Sequence, residues 1–309
     1  MTRRVLTLLG ITFLAFTIVR YAPGDPLAVQ GDFGVRGVAL SQLREYRRLM
    51  GLDEPLLAGY FRWLWNLVRG DLGDSFRDGR PVLALLAEAL PVTLLLSIPS
   101  LLLGYLLAIP IGIVSAARPR GFLDRALSWL VFGLYSLPVQ FVALALLLTA
   151  SDAGWPIQGL KEGRSLVLPI ACLAYGSVAV LSRHLRSSML EQMGQDYIRT
   201  ARSLGHSEAT VILRHALPNS LLSLIALFGL TLPALVSGAV IVERIFGLPG
   251  MGRLTFDAVL ARDQPVLMGV ILLAGVVTML GMLASDLLYT AVDPRLGTPF
   301  GDTLRGHPR

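Results

Sequence analysis

The apolar residues of this chain come in long blocks instead of alternating with polar ones. A bilayer core about 30 Å thick takes about 20 apolar residues at a helical rise of about 1.5 Å. Six blocks are predicted to be helices that cross it: 5–19, 93–117, 126–150, 166–182, 219–242 and 266–290. The second, third and sixth contain few polar groups and no cations. The fourth is short and holds Pro169, and the fifth holds Pro233, which neighbouring helices in a bundle accommodate. The first, behind Arg3-Arg4, also has the form of a secretory signal, but no small-x-small cleavage site follows it. It is read as a retained span. The predicted fold class is therefore all-α, a polytopic membrane protein with six transmembrane helices.

Arginine placement sets the orientation. With the amino terminus inside, the cytoplasmic segments hold Arg3, Arg4, Arg118, Arg120, Arg125, Arg183, Arg186, Arg199, Arg202, Arg214, Arg295, Arg305 and Arg309. The short outer loops hold only Lys161, Arg164, Arg244, Arg253 and Arg262. Both termini are therefore expected in the cytoplasm. The chain then divides into a first helix and its exit (1–26), an extracytoplasmic segment (27–92), a permease core (93–290) with a cytoplasmic loop (183–218), and a cytoplasmic tail (291–309). Within the outer segment, LREYRRLMGLDEP reads as a short helix ending at Gly51, with Pro55 after it. Tyr60, Phe61, Trp63 and Trp65, beside Arg62 and Arg69, suit either a helix lying at the outer interface or the small core of an outer cap.

Composition agrees with the blocks. The 309 residues are 54% hydrophobic and 16% charged, with a net charge of +6 and a mean hydropathy of +0.64. Soluble domains carry about a quarter charged residues. The cations are scattered through the loops, without the clustering that nucleic-acid binding needs. Lone Cys172, inside an apolar run, excludes a disulfide framework and a cysteine-based metal site.

What the spans lack narrows the function. Carriers, pumps and channels need ionisable groups at membrane depth. Here the middle of every span is without Asp, Glu, Lys, Arg or His, and His184, His206, His215 and His307 all fall in cytoplasmic segments. No base is placed for an intramembrane nucleophile. The run from Gly247 to Leu254 superficially resembles a phosphate loop, but Arg253 and Leu254 stand where Lys and Ser/Thr are required. No cofactor, metal or catalytic residue is expected. The chain offers a path without an energy source of its own.

One polar stretch stands out, DYIRTARSLGHSEATVILRHALP at 196–218. Its composition predicts two short helices. Gly205 is placed to end the first in the left-handed conformation, Ser207 to cap the second with Glu208 at its positive end, and Leu217-Pro218 to mark a break. Ile198, Ala201, Val211, Ile212 and Leu213 offer apolar surface, and Arg199, Arg202 and Arg214 polar surface. An ordinary solvated loop is the bland alternative.

The spacing of this stretch resembles the cytoplasmic Glu-Ala-Ala-x3-Gly-x9-Ile-x-Leu-Pro loop of importers of the ATP-binding-cassette class. Arg199-Thr200-Ala201 stands over Glu-Ala-Ala, His215 over Ile, and Gly205 and Leu217-Pro218 match. Further pieces resemble the first membrane subunit of the dipeptide/oligopeptide/nickel branch: RYAPGDP (20–26), MGLDEPL (50–56), YFRWLWNLVRGDLGDSF (60–76), LPVTL (90–94), GQDYIRTARSLG (194–205), VERIFGLPGMGRL (242–254), ARDQPV (261–266) and DLLYTAVDPR (286–295). The resemblance implies a type I importer fold with cytoplasmic coupling helices in a bacterial inner membrane. Arg199, Thr200, Ala201, Arg202, Leu204, Gly205, His206 and Ser207 would meet a cytoplasmic ATPase. Glu243, Phe246, Gly247, Pro249, Gly250 and Gly252 would lie at an outer gate or contact a binding protein, though a merely structural turn fits those glycines equally. Tyr135, Gln140, Tyr175 and Ser177 are candidates to line the path or to glue helices together. The implied partners are a second, homologous permease, two ATPase subunits, an extracytoplasmic solute-binding protein and membrane lipid, with no nucleic acid. The implied cargo is a di- or oligopeptide, with a nickel chelate or another solute as the alternative. Rivals from other classes are a self-sufficient channel or ion-coupled carrier, and a membrane enzyme.

Overall fold

The computed structural model describes residues 2–21, 54–154, 163–237 and 239–292. The helix expected before Gly51 and the tail from 293 lie outside them. Helices dominate: α1 (Thr2–Tyr21), α2 (Leu56–Val68), α3 (Val82–Ala117), α4 (Phe122–Ser136), α5 (Val139–Asp152), α6 (Val167–Met193), α7 (Asp196–Ser203), α8 (Leu217–Ser237), α9 (Val240–Ile245), α10 (Met251–Ala261) and α11 (Gln264–Val292). Among the described residues three helices, α3, α6 and α11, are long and apolar enough to cross a membrane, or four if α4 and α5 make one broken span. The contacts fall into two compact units, the first formed by 1–98, 143–170 and 233–277, the second by 99–142, 171–232 and 278–309.

Four predicted spans differ clearly in their bounds, the fourth running on to Met193, eleven residues past the expected Ser182. The second begins at Val82, eleven residues before the expected Thr93. Its added turns carry Val82, Leu85, Leu86 and Ala89, which pack in the first unit against Met251, Ala258, Val266 and Val270. Burial of that stripe holds the helix through Pro91. The third expected span, 126–150, is two helices. The residue before a proline is pushed out of the α region, and Leu137 is extended (φ −86°, ψ 119°) before Pro138. The carbonyl of Leu137 is instead satisfied by the hydroxyl of Tyr175, at 2.7 Å. The fifth ends at Ser237, and 240–242 belong to α9.

In the first unit α2 answers the question its aromatics raised. Tyr60 is buried with Ala15, Phe16 and Met268, edge-on to Phe13 and Phe16, and its hydroxyl meets Thr12 Oγ1 at 3.0 Å. Phe61 and Trp65 point out, 64% and 59% exposed. One face is therefore a core and the other suits an interface. Gly59 permits the approach, since a Cβ there would lie 3.3 Å from the Phe16 ring.

In the second unit α3 and α6 meet along a stripe of small residues. Gly104, Ala108 and Gly112 recur every fourth position, so they share one face. A Cβ on Gly104 would lie 3.1 Å from Ser177, and one on Gly112 would lie 2.9 Å from Leu185. Without a hydrophobic force to drive helices together in lipid, such close backbone approach is what holds them. Leu185, Met189 and Leu224 continue the core, and Tyr105 donates to the Leu224 carbonyl at 3.1 Å.

Candidate functional site

The polar stretch folds as a hairpin within the second unit. After α6 the chain breaks at Gly194-Gln195, and α7 runs from Asp196 to Ser203. Its end is a Schellman turn: Gly205 N–H donates to the Arg202 carbonyl at 3.0 Å and His206 N–H to Ala201 at 3.4 Å, with Gly205 at φ +84°. Ser207 then caps the next turn, its Oγ accepting from Thr210 N–H at 3.3 Å. Arg202 grips Glu208 through Nε at 2.8 Å and Nη2 at 3.2 Å. Those hydrogen bonds hold the Glu208 carboxyl below its ordinary range, so the pair is intact at neutral pH and parts only as pH falls through that lowered value.

Two expectations are revised. Ile198, Ala201, Val211 and Ala216 form the hairpin's own core and Ile212 is buried beside it, so of the apolar residues named only Leu213 stays open. Ala201 therefore faces inward, whereas Arg199, Thr200, Arg202, Leu204, Gly205, His206 and Ser207 are exposed. Leu217-Pro218 is not a break. Residues 211–216 form a π-helical turn that runs directly into α8, and Pro218 follows that wide turn without ending the helix.

The loop of 239–263, in the first unit, is knotted around a buried carboxylate. Glu243 has no exposed surface; it accepts from Thr93 Oγ1 at 2.8 Å and from Arg253 N–H at 2.9 Å, while Thr93 accepts from Met251 N–H at 2.7 Å. Gly250 and Gly252 are there for room, since a Cβ on either would lie within 3.0 Å of Glu243 or the Val240 backbone. Gly247 is the turn, at φ +66°. Of the six loop residues named, Gly247 and Pro249 are open to a partner, while Glu243, Phe246, Gly250 and Gly252 are interior. Nearby, buried Asp263 accepts from Ser75 Oγ and caps α11 through Val266 N–H at 3.4 Å.

Of the path candidates, Gln140 is exposed on α5, Tyr175 bonds Leu137, Ser177 lies in the α3–α6 stripe, and Tyr135 sits under the guanidinium of Arg183 at 5.5 Å. Sequence reasoning missed Asp124. It is buried and held by Arg186 in a fork, Nε to Oδ1 at 2.7 Å and Nη2 to Oδ2 at 2.8 Å. Thr93 and Asp263 were visible only as letters in LPVTL and ARDQPV.

Long apolar helices joined by a compact polar hairpin define a polytopic helical membrane protein. Residues 108–298 match the model of the binding-protein-dependent transport system inner membrane component family, and the chain belongs to that family. It is 38% identical over 302 residues to the oligopeptide transport system permease protein AppB of Bacillus subtilis, covering 94% of this chain and 95% of that one. A putative peptide transport system permease protein of Brucella suis is 38% identical over 94% of both chains. In fold it is similar to a chain of the MetNI methionine ABC transporter in inward-facing form, at TM-score 0.57 and 22% identity over 68% of this chain and 97% of that one. This protein is thus a multi-pass membrane permease subunit of an ATP-driven importer, a non-enzymatic component working with other parts of its transporter.

Proposed function

We propose that the chain forms half of a path through which di- or oligopeptides enter a bacterial cell, with both termini in the cytoplasm and α1 retained. The hairpin of 194–218 serves as the coupling site, docking in a cleft of one of two ATPase subunits. A second, homologous permease completes the path, and an extracytoplasmic binding protein delivers the peptide near the loop of 239–263. The observation that carries this reading is the exposed face made by Arg199, Thr200 and residues 202–207. It is stiffened from within by its own core and shaped by the left-handed Gly205, and it occurs in a chain whose relatives are named for peptide transport. ATP-driven closure at the ATPases then moves the hairpin and shifts the path between inward- and outward-facing states.

The test is gentle purification of the tagged chain from native membranes, followed by peptide uptake in vesicles. A sister permease and ATPases are expected to come along, and uptake is expected to need ATP. A homo-oligomer that transports without ATP would make the chain a channel or carrier instead. Gly205→Arg is expected to insert normally and abolish ATP-driven uptake. Gly205→Ala, which adds only about 1–2 kcal/mol of left-handed strain and meets no atom within 4 Å, retains part of it.

A further inference from the structure

A cavity of about 630 Å³ opens in the second unit among α3, α4 and α6. Its two main walls differ in chemistry. The α6 wall is polar, with Ser182, Arg183, His184 and Ser187; the α4 wall is mostly apolar, with Leu127, Val131, Phe132 and the ring of Tyr135, and Ser128 as its small polar member. The charges on the polar wall are not equivalent. Arg186 is neutralised by the fork to Asp124. Arg183, by contrast, stacks on Tyr135 and has no carboxylate partner among the described residues, which leaves its N–H edge free to bind an anion. The apolar wall does not stop at the cavity: α4 carries it outward through Trp129, 72% exposed, and Leu130, 55% exposed. Arg183 also directly follows the apolar run of 166–182, the kind of position at which cations flank a membrane span.

We propose that this cavity holds an anionic phospholipid of the inner leaflet, its phosphodiester against Arg183 and the exposed Ser187 hydroxyl of α6 and its acyl chains along α4. A small free anion would use the polar wall alone and leave the apolar wall wet. A transported peptide would find one cation and no available carboxylate for its ammonium end, since Asp124 is occupied by Arg186. An anionic amphiphile satisfies both walls at once, and a basic recess between membrane helices has the chemistry for such a headgroup. The assignment to the inner leaflet rests on the orientation proposed above; the binding itself does not.

The experiment is native mass spectrometry of the delipidated permease with its co-purifying partners, titrated with phosphatidylglycerol or phosphatidylcholine of the same acyl chains. Phosphatidylglycerol should be retained at least about fivefold more tightly, the effect of one surface cation. Arg183→Gln should remove that preference and Arg183→Lys should keep it. Ser128→Phe, which leaves every charge in place and obstructs the cavity between its two walls, should also remove it. Equal retention of the two lipids by the unmutated protein, or an unchanged preference in both Arg183→Gln and Ser128→Phe, overturns the proposal. Displacement of the lipid by millimolar inorganic phosphate would make the site one for a soluble anion, and displacement by a dipeptide would make it part of the path; either overturns it too. None of these readouts uses uptake, so loss of the lipid site leaves the transport reading standing, and failure of ATP-driven uptake leaves the lipid site standing.

Discussion

Glu243 shows what a single side chain does in this protein. A carboxylate without solvent must have its oxygens hydrogen-bonded or it destabilises the fold, and here Thr93 and the Arg253 amide supply the bonds. The two glycines beside it are small because the carboxylate is close. Gly250→Ala would place a Cβ 2.5 Å from Glu243 Cδ, so it is expected to lower stability by about 1–3 kcal/mol, the usual cost of overpacking. A thermal-unfolding scan in detergent reads this; an unchanged midpoint would show that the knot relaxes freely. In the sequence the same glycines look like turn-formers, and only Gly247, at φ +66°, acts as one. Their real constraint is the Glu243 carboxylate, fixed in place by Thr93, 150 residues from it in sequence, and no local pattern carries that bond.

At the scale of elements, the hydropathy blocks locate every long helix but misplace ends and miss one break. The extension of α3 to Val82 was hidden because Glu88 and Pro91 interrupt the apolar run, while the stripe Val82, Leu85, Leu86, Ala89 repeats with the helical period. The break in the third span was legible in Leu137-Pro138, but a sum over the mostly apolar positions of 126–150 averages it away. The spacing Gly104, Ala108, Gly112 was equally legible as a packing face. Gly112→Val is expected to force α3 from α6 and lower stability by about 1–3 kcal/mol, measurable as a lower temperature of aggregation in membranes. Gly133→Val, on α4 with no atom near its Cβ, should do much less.

For the whole molecule the sequence was most informative about class and least about contacts. The missing intramembrane charges and the 196–218 spacing led to a permease that borrows its energy, and the family match agrees. The inward turn of Ile198, Ala201 and Val211 was not legible, because an amphipathic hairpin reads alike whether it covers a partner or itself. Orientation can be tested directly. Cys172 is 1% exposed, so Cys172→Ala gives a cysteine-free background. A cysteine at Leu204 should react with an impermeant maleimide only in inside-out vesicles, and one at Pro249 only in right-side-out cells. The reverse pattern would invert the topology.

The π-helical turn has a geometric consequence of its own. Because 208–216 passes into α8 without a loop, the open face around Leu204 is phased to α8 residue by residue. One residue inserted into α8 next to this junction would turn everything before it by about 100° and advance it about 1.5 Å. The length of this stretch is therefore as tightly constrained as its chemistry, even where the side chains face only water.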